Sequence, residues 1–428
     1  MSDPVLWELV CVRCAARYPG LEVRTLCGCG GTLDVVHALE RLKGVVTAQT
    51  FDDRLGARQG VYRSGVWRFR ELILPLDDAS IVTKPEGNTN LYEAPRVASY
   101  VGLDALWLKH EGENPTGSFK DRGMTCGISM ARRLGMERVA VASTGNTSAS
   151  AASYAAQAGM EAIVFVPEGK IAYGKLSQAL AYGARTLQID GDFDAAMALV
   201  QQICAAEGIY LLNSINPFRI EGQKAIGFEV LQDMGWQVPD WIVLPGGNLG
   251  NNAALSKGMG ELLELGIIDR LPRIAVVQAA GANPLYRAWV SGEPMSPVKA
   301  ETLATAIKIG DPVSFDKSMR GLRACGGVVC EVSDQAIMDA KAQVDASGIG
   351  AEPASCATVA GIRQLVQAGV IPAEARVCGV LTGHLLKDPD TVVSYHRGSL
   401  DGIASTWANA PISVGSGIES ALLGMRRG

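Results

Sequence analysis

The sequence has no run of lysine or arginine. Its 39 basic and 44 acidic residues among 428 leave a net charge of −5. A stripe for polyanions is therefore absent, which argues against a nucleic-acid partner, although a small anion could still bind locally. The first ten residues lack a basic stretch leading into a long apolar one, and no later window approaches the length of a membrane-spanning helix. The expectation is a cytoplasmic protein with no membrane contact. Tandem repeats and low-complexity tracts are missing too. Six of the ten cysteines, at Cys126, Cys204, Cys325, Cys330, Cys356 and Cys378, lie in apolar surroundings without pairable spacing. That suits a reducing compartment and simple core packing. What the chain does have is 48% hydrophobic residues and length for more than one core, so two domains and a small appendage are expected.

The other four cysteines stand apart. Cys11 and Cys14 form a Cys-x-x-Cys pair, and Cys27 and Cys29 follow as Cys-x-Cys before Gly30-Gly31. Two such pairs could supply four thiolates to a tetrahedral zinc, although the usual second spacing is Cys-x-x-Cys. A hairpin with metal-free thiols is the alternative, and disulfides a further one. Residues 1–40 are expected to form this small Cys-rich, ribbon-like extension.

From about residue 104, short apolar runs alternate with longer amphipathic or Ala-rich stretches. The runs are Leu106 to Lys109, Val139 to Ala142, Ala162 to Val166, Thr186 to Ile189, Ile242 to Leu244, Ile274 to Val277 and residues 376–381. This rhythm predicts an α/β protein with parallel sheets covered by helices on both faces. Residues 41–428 would form the main region, with a small mobile subdomain at about 137–210 and a larger domain from the remainder. Helices over Gln335 to Ala346 and Ala354 to Ala368 read as core scaffold.

Lys120 is the residue that asks for an explanation. It lies in Glu113-Asn114-Pro115-Thr116-Gly117-Ser118-Phe119-Lys120-Asp121-Arg122-Gly123. Asn-Pro ends the preceding strand, Gly117 permits a tight turn, and Ser118 is the expected N-cap of the following helix. An amine buried at the positive end of a helix dipole has a lowered pKa, which suits attack on an aldehyde or removal of a carbon-bound proton. A solvated lysine on a first helical turn is the bland alternative.

Three further loops follow predicted strands. Ser143-Thr144-Gly145-Asn146-Thr147-Ser148 presents hydroxyls, an amide and free N–H groups at a helix start, a suitable mouth for a small anion. Pro245-Gly246-Gly247-Asn248-Leu249-Gly250-Asn251-Asn252 resembles a phosphate cradle ahead of a helix expected over Ala253 to Leu265. It is neither a Walker loop nor Gly-x-Gly-x-x-Gly, and a plain strand-to-helix turn would look similar. Gly379-Val380-Leu381-Thr382-Gly383-His384 ends a strand with a neutral hydroxyl at Thr382.

In chain order, Asn114 to Gly123, Ser143 to Ala152, Asn213 to Gln223, Gly247 to Asn251 and Leu381 to Asp390 resemble the threonine synthases. These are pyridoxal-phosphate enzymes of fold type II, the group that includes tryptophan synthase β. The resemblance runs from about residue 85 to 395, and the cysteine-rich start looks like the N-terminal extension of many members. It implies two doubly wound parallel-sheet domains and pyridoxal 5'-phosphate as cofactor. Lys120 would form the Schiff base and then shuttle protons. Gly247, Asn248, Leu249, Gly250 and Asn251 would hold the cofactor phosphate, Asn146 the ring oxygen and Thr382 the ring nitrogen. The implied substrate is O-phospho-L-homoserine, converted with water to L-threonine and phosphate. Its phosphate would meet Ser143, Thr144, Asn213, Arg219 and Asn248, with Lys175 a weaker candidate. A homodimer is usual for the family. Cysteate synthase, threonine dehydratase and diaminopropionate ammonia-lyase are the nearest other enzymes, and a zinc-ribbon interaction protein on an inactive scaffold is a reading of another class.

Overall fold

The computed structural model describes residues 6–167, 173–190 and 193–425. Three sheets organise them. The first is antiparallel, with β1 (Trp7–Cys11) between β2 (Arg17–Pro19) and β3 (Leu33–His37).

The largest sheet has six strands: β4 (Leu91–Glu93), β5 (Leu106–His110), β10 (Trp241–Pro245), β11 (Arg273–Ala279), β12 (Val328–Val332) and β13 (Val377–Leu381). Its order is β12-β11-β10-β13-β5-β4. The smaller sheet has the order β8-β7-β6-β9, from β6 (Arg138–Ala142), β7 (Glu161–Pro167), β8 (Arg185–Ile189) and β9 (Tyr210–Leu211).

The seven predicted apolar runs are all strands of these two sheets, and all pair in parallel. Every residue of β10 and β13 is buried, as continuous apolar runs require when helices cover both faces. The departure is β4, which pairs antiparallel with β5 at one edge. Too short and polar to read as a strand in sequence, it closes that edge against further pairing.

Strand order positions the site. β10, β13 and β5 are neighbours running the same way, so the loops after them emerge side by side at their carboxyl ends. That is where open parallel sheets bind ligands. The loop after β5 is also zipped to the loop after β13. Phe119 N–H donates to Thr382 O at 3.0 Å, His384 N–H donates to Gly117 O at 2.9 Å, and Ser118 bridges Gly383. Gly117 sits at φ +86°, which a side chain would strain.

The helix Lys120–Arg133 begins with Lys120, but Ser118 is not its N-cap. Phe119 holds that position in an αR conformation, and Ser118 is drawn into the bridge to Gly383 instead. Its hydroxyl still accepts from Lys120 N–H at 3.4 Å. The helix after β10 also starts earlier than expected, running Gly250–Glu264, with Leu249 ahead of it in the left-handed conformation (φ +63°).

Two buried ionic clusters fix these helices. Arg122 donates to Glu111 at 2.6 and 2.7 Å and to Glu229 at 2.6 Å, and Lys109 pairs with Glu229 at 3.0 Å. Leaving any of these charges unpaired would cost about 3–5 kcal/mol, so the helix bearing Lys120 is anchored to β5 and to the helix Ala225–Asp233. The second cluster docks the N-terminal sheet. His37 meets Glu221 at 2.7 Å, and Lys317 pairs with Asp34 at 3.0 Å. Lys224 lies 2.7 Å from Glu221 and 2.6 Å from Glu261, so an ammonium fills the space among His37, Glu221 and Glu261 that a metal ion would need. Among the described residues no helix is long and apolar enough to cross a membrane.

Candidate active site

Lys120 reaches the cleft over the face of Phe119, its Nζ 4.2 Å from the ring centroid. Burial and, after it, the Arg219 guanidinium lower its pKa to about 7, with Glu352 acting in the opposite sense. The helix dipole anticipated for this lysine is present, but the dominant cause is burial. Beside it, Asp121 accepts from Thr116 N–H and Oγ1–H, both at 2.7 Å, and from Ser150 Oγ–H at 2.6 Å. The loop that presents the amine is therefore rigid.

The glycine loop has the form of an anion cradle. A Cβ at Gly247 would lie 3.1 Å from Ile307 Cα and 3.3 Å from Ala306 O, so a side chain there would press on the neighbouring segment. The helix from Gly250 has no side-chain cap, and its first N–H groups are left for a ligand. Asn248 Oδ1 accepts from Val313 N–H at 3.4 Å, while Asn251 Oδ1 is buried without a partner. Thr382 is buried at the end of β13, and its hydroxyl lies 3.0 Å from Ser355 Oγ.

On the smaller sheet, Asn146 opens the helix Asn146–Ala158, and Ser143 and Thr144 lie half-buried in the preceding loop. Ser143 Oγ accepts from Gly145 N–H at 3.2 Å. Asn213 clamps the end of β6, its Oδ1 accepting from Ala142 N–H at 2.9 Å and its Nδ2 donating to Ala142 O at 3.0 Å. Both ends of that amide are thus engaged with backbone.

Arg219 is on the short helix Pro217–Gln223 and is buried. One nitrogen donates to Leu212 O at 2.6 Å, and Nε has no partner. Burial alone lowers its pKa to about 10. Among the described residues no carboxylate pairs with it. The side chain of Lys175 lies outside the described residues.

The structure adds two residues, Ser355 from the run read as scaffold and Glu352 just ahead of it, to which the sequence assigned no role at the site. Glu352 and Ser355 open the helix Pro353–Gln367. Asn146 Nδ2 donates to both oxygens of Glu352 at 3.2 Å, and Ser355 Oγ accepts from Gly383 N–H at 2.9 Å besides meeting Thr382. Glu352-Pro353, an acidic residue ahead of proline at a helix start, was the available signal.

At the far end of β1 the four N-terminal cysteines converge. Cys11 Sγ lies 3.5 Å from Cys29 Sγ and Cys14 Sγ 3.4 Å from Cys27 Sγ, with all four sulfurs within 4.8 Å of one another. None is in a disulfide.

A half-buried lysine with a lowered pKa, an anion cradle and a neutral hydroxyl around one cleft define a class. Residues 82–383 match the family model for "Pyridoxal-phosphate dependent enzyme". The threonine synthase of Methanosarcina acetivorans is 47% identical over 91% of this chain and 94% of its own, and that of Methanocaldococcus jannaschii 44% identical over 90% and 93%. "Threonine synthase 2, chloroplastic" of Arabidopsis thaliana is 43% identical over 90% of this chain and 77% of its own. The chain belongs to the threonine synthase family.

Among solved structures, maize serine racemase superposes with a TM-score of 0.61 at 18% identity, covering 82% of this chain and 99% of its own. A tomato (Solanum lycopersicum) threonine deaminase gives 0.62 at 18%, covering 74% and 89%. These likenesses establish the fold alone. The residues present fit pyridoxal phosphate: a cradle that a Cβ would fill, uncapped N–H groups for the phosphate, and a lysine held near neutrality for the aldehyde.

Proposed function

We propose that this chain converts O-phospho-L-homoserine and water to L-threonine and phosphate. The observation that carries the reading is Arg219, a buried guanidinium with no carboxylate partner among the described residues that lies close enough to Lys120 to lower its pKa. An enzyme needing only its cofactor has one anion to hold, and the glycine loop serves that. A second buried cation by the reactive amine calls for a substrate anion, and a guanidinium can bind a phosphate bidentately. Ser143, Thr144, Asn213 and Asn248 would complete that subsite.

Bound pyridoxal phosphate supplies an electron sink for the charge left when a proton leaves the substrate's Cα. Lys120 would hold the cofactor and, once the substrate amine has taken its place, carry protons as a free amine with a pKa near neutrality. It removes the Cα proton and then one from Cβ. Arg219 stabilises the phosphate as it departs from Cγ. A proton returns to Cγ, the hydroxyl of water joins Cβ while its other proton goes to the released phosphate, and Lys120 returns a proton to Cα. Gly247, Leu249, Gly250 and Asn251 would fix the cofactor phosphate through backbone N–H groups, Asn146 would donate to the ring oxygen, and Thr382 would meet the ring nitrogen. A hydroxyl there, unlike a carboxylate, does not favour ring protonation, which suits elimination and replacement over transamination. Phosphate release from phosphohomoserine with stoichiometric threonine tests the reading. Faster turnover of phosphoserine with sulfite would overturn it in favour of cysteate synthesis.

We also propose a structural zinc at Cys11, Cys14, Cys27 and Cys29. Sulfurs around a tetrahedral zinc stand about 3.8 Å apart for bonds of about 2.3 Å, close to the two shortest separations here. Elemental analysis should find one zinc per chain, lost in Cys14→Ser, with an accompanying fall in melting temperature. A metal-free wild type would refute it.

A further inference from the structure

The contact between Asn146 and Glu352 joins the two sheets across the cleft. It connects the first residue of a helix on the smaller sheet with the residue that opens a helix on the larger one. Glu352 is 6% exposed, and its backbone N–H donates to Gly383 O at 3.0 Å, so its position is set by the loop that bears Thr382. A Cβ on Gly383 would collide with its carboxylate, so that loop packs directly on the acid. The groups that face Glu352 are Lys120, Lys387 and Asp388, besides Asn146 itself. Burial raises its pKa, opposed by the hydrogen bonds from Asn146 and by Lys387 and Lys120, and in the ionised form both its oxygens accept.

A carboxylate has only acceptors, whereas the two ends of a carboxamide are a donor and an acceptor. Turning Asn146 over would set Oδ1 against two negative oxygens. We propose that Glu352 is a positioning residue for Asn146: it admits only the amide nitrogen, and so fixes a donor, not an acceptor, at the ring-oxygen edge of the cofactor. Nδ2 carries two hydrogens, one for Glu352 and one for the ring. This deepens the functional reading and rests on it, because it takes Asn146 as the residue that meets the ring oxygen. The consequence is electronic. A donor on the ring oxygen draws charge away from it and so lowers the proton affinity of the nitrogen that Lys120 shares with the cofactor.

The test is a pH titration of the visible absorption of the holoenzyme in wild type, Glu352→Gln, Asn146→Ala and the double variant. A neutral glutamine amide can turn either end to Asn146, so it no longer forbids the inverted orientation. The midpoint in Glu352→Gln is expected to rise by about one pH unit, the tenfold change in proton affinity that a hydrogen bond to a charged group is worth. Asn146→Ala should raise it similarly, and the double variant should go no further than Asn146→Ala alone. A fall in the Glu352→Gln midpoint would mean that the carboxylate acts on the nitrogen directly through its charge, and would overturn the proposal. So would an unmoved midpoint, or additive shifts in the double variant. If Glu352→Gln does not fold, Glu352→Asp serves, because a shorter acid withdraws from Asn146 but keeps its charge, and the same rise is expected. A wild type without a visible band that depends on Lys120 would instead defeat the functional reading itself.

Discussion

Lys120→Ala is expected to lower turnover by at least about 10⁴-fold, because one amine anchors the cofactor and carries every proton among three adjacent carbons. The visible absorption of the wild type should be lost or displaced in the same variant. A result within about 100-fold of wild type would place the proton carrier elsewhere. The environment adds a pH signature. At a pKa of about 7 the lysine of the cofactor-free protein is half unprotonated at neutral pH, whereas an ordinary lysine would present only about one neutral amine in several thousand. Capture of added pyridoxal phosphate should therefore accelerate about tenfold per pH unit below 7 and level off above it. Stopped-flow absorbance on the apoenzyme measures this, and a limb continuing to rise toward pH 10 would mean that burial does not depress the amine.

The sheets were readable because their strands are buried on both faces and so appear as unbroken apolar runs such as Trp241 to Leu244. β4 was not, since an edge strand of three partly exposed residues carries no such signal. Loop positions were equally readable, each lying just past a strand. Which loops meet depends on strand order, and nothing local in the sequence places β13 between β10 and β5. Ser118 illustrates a second limit. Its side chain has the chemistry of a cap, but the backbone bridge from its own position to Gly383 takes the residue out of capping geometry. Glu352 was hidden for the opposite reason. Its helix reads as apolar scaffold, and the one acidic residue at its mouth has meaning only once Asn146, 206 positions away, arrives beside it.

Arg219 tests the division of the cleft into two anion sites, and its two substitutions should part company. Arg219→Ala is expected to lower kcat/KM for phosphohomoserine by about 10²–10³-fold, the loss of about 3–4 kcal/mol of a buried, charge-assisted contact with the substrate phosphate. Cofactor absorption should remain, because the glycine loop and Lys120 lie outside the change. The same variant removes the cation that helps depress Lys120, so the acid limb of cofactor capture should move to higher pH. Arg219→Lys keeps a positive charge but loses the planar fork. It should hold the pH limb near wild type while still losing much of kcat/KM. If both variants lost cofactor in step with activity, Arg219 would belong to the cofactor's own site. The buried cation beside Lys120 would then no longer argue for a phosphate on the substrate.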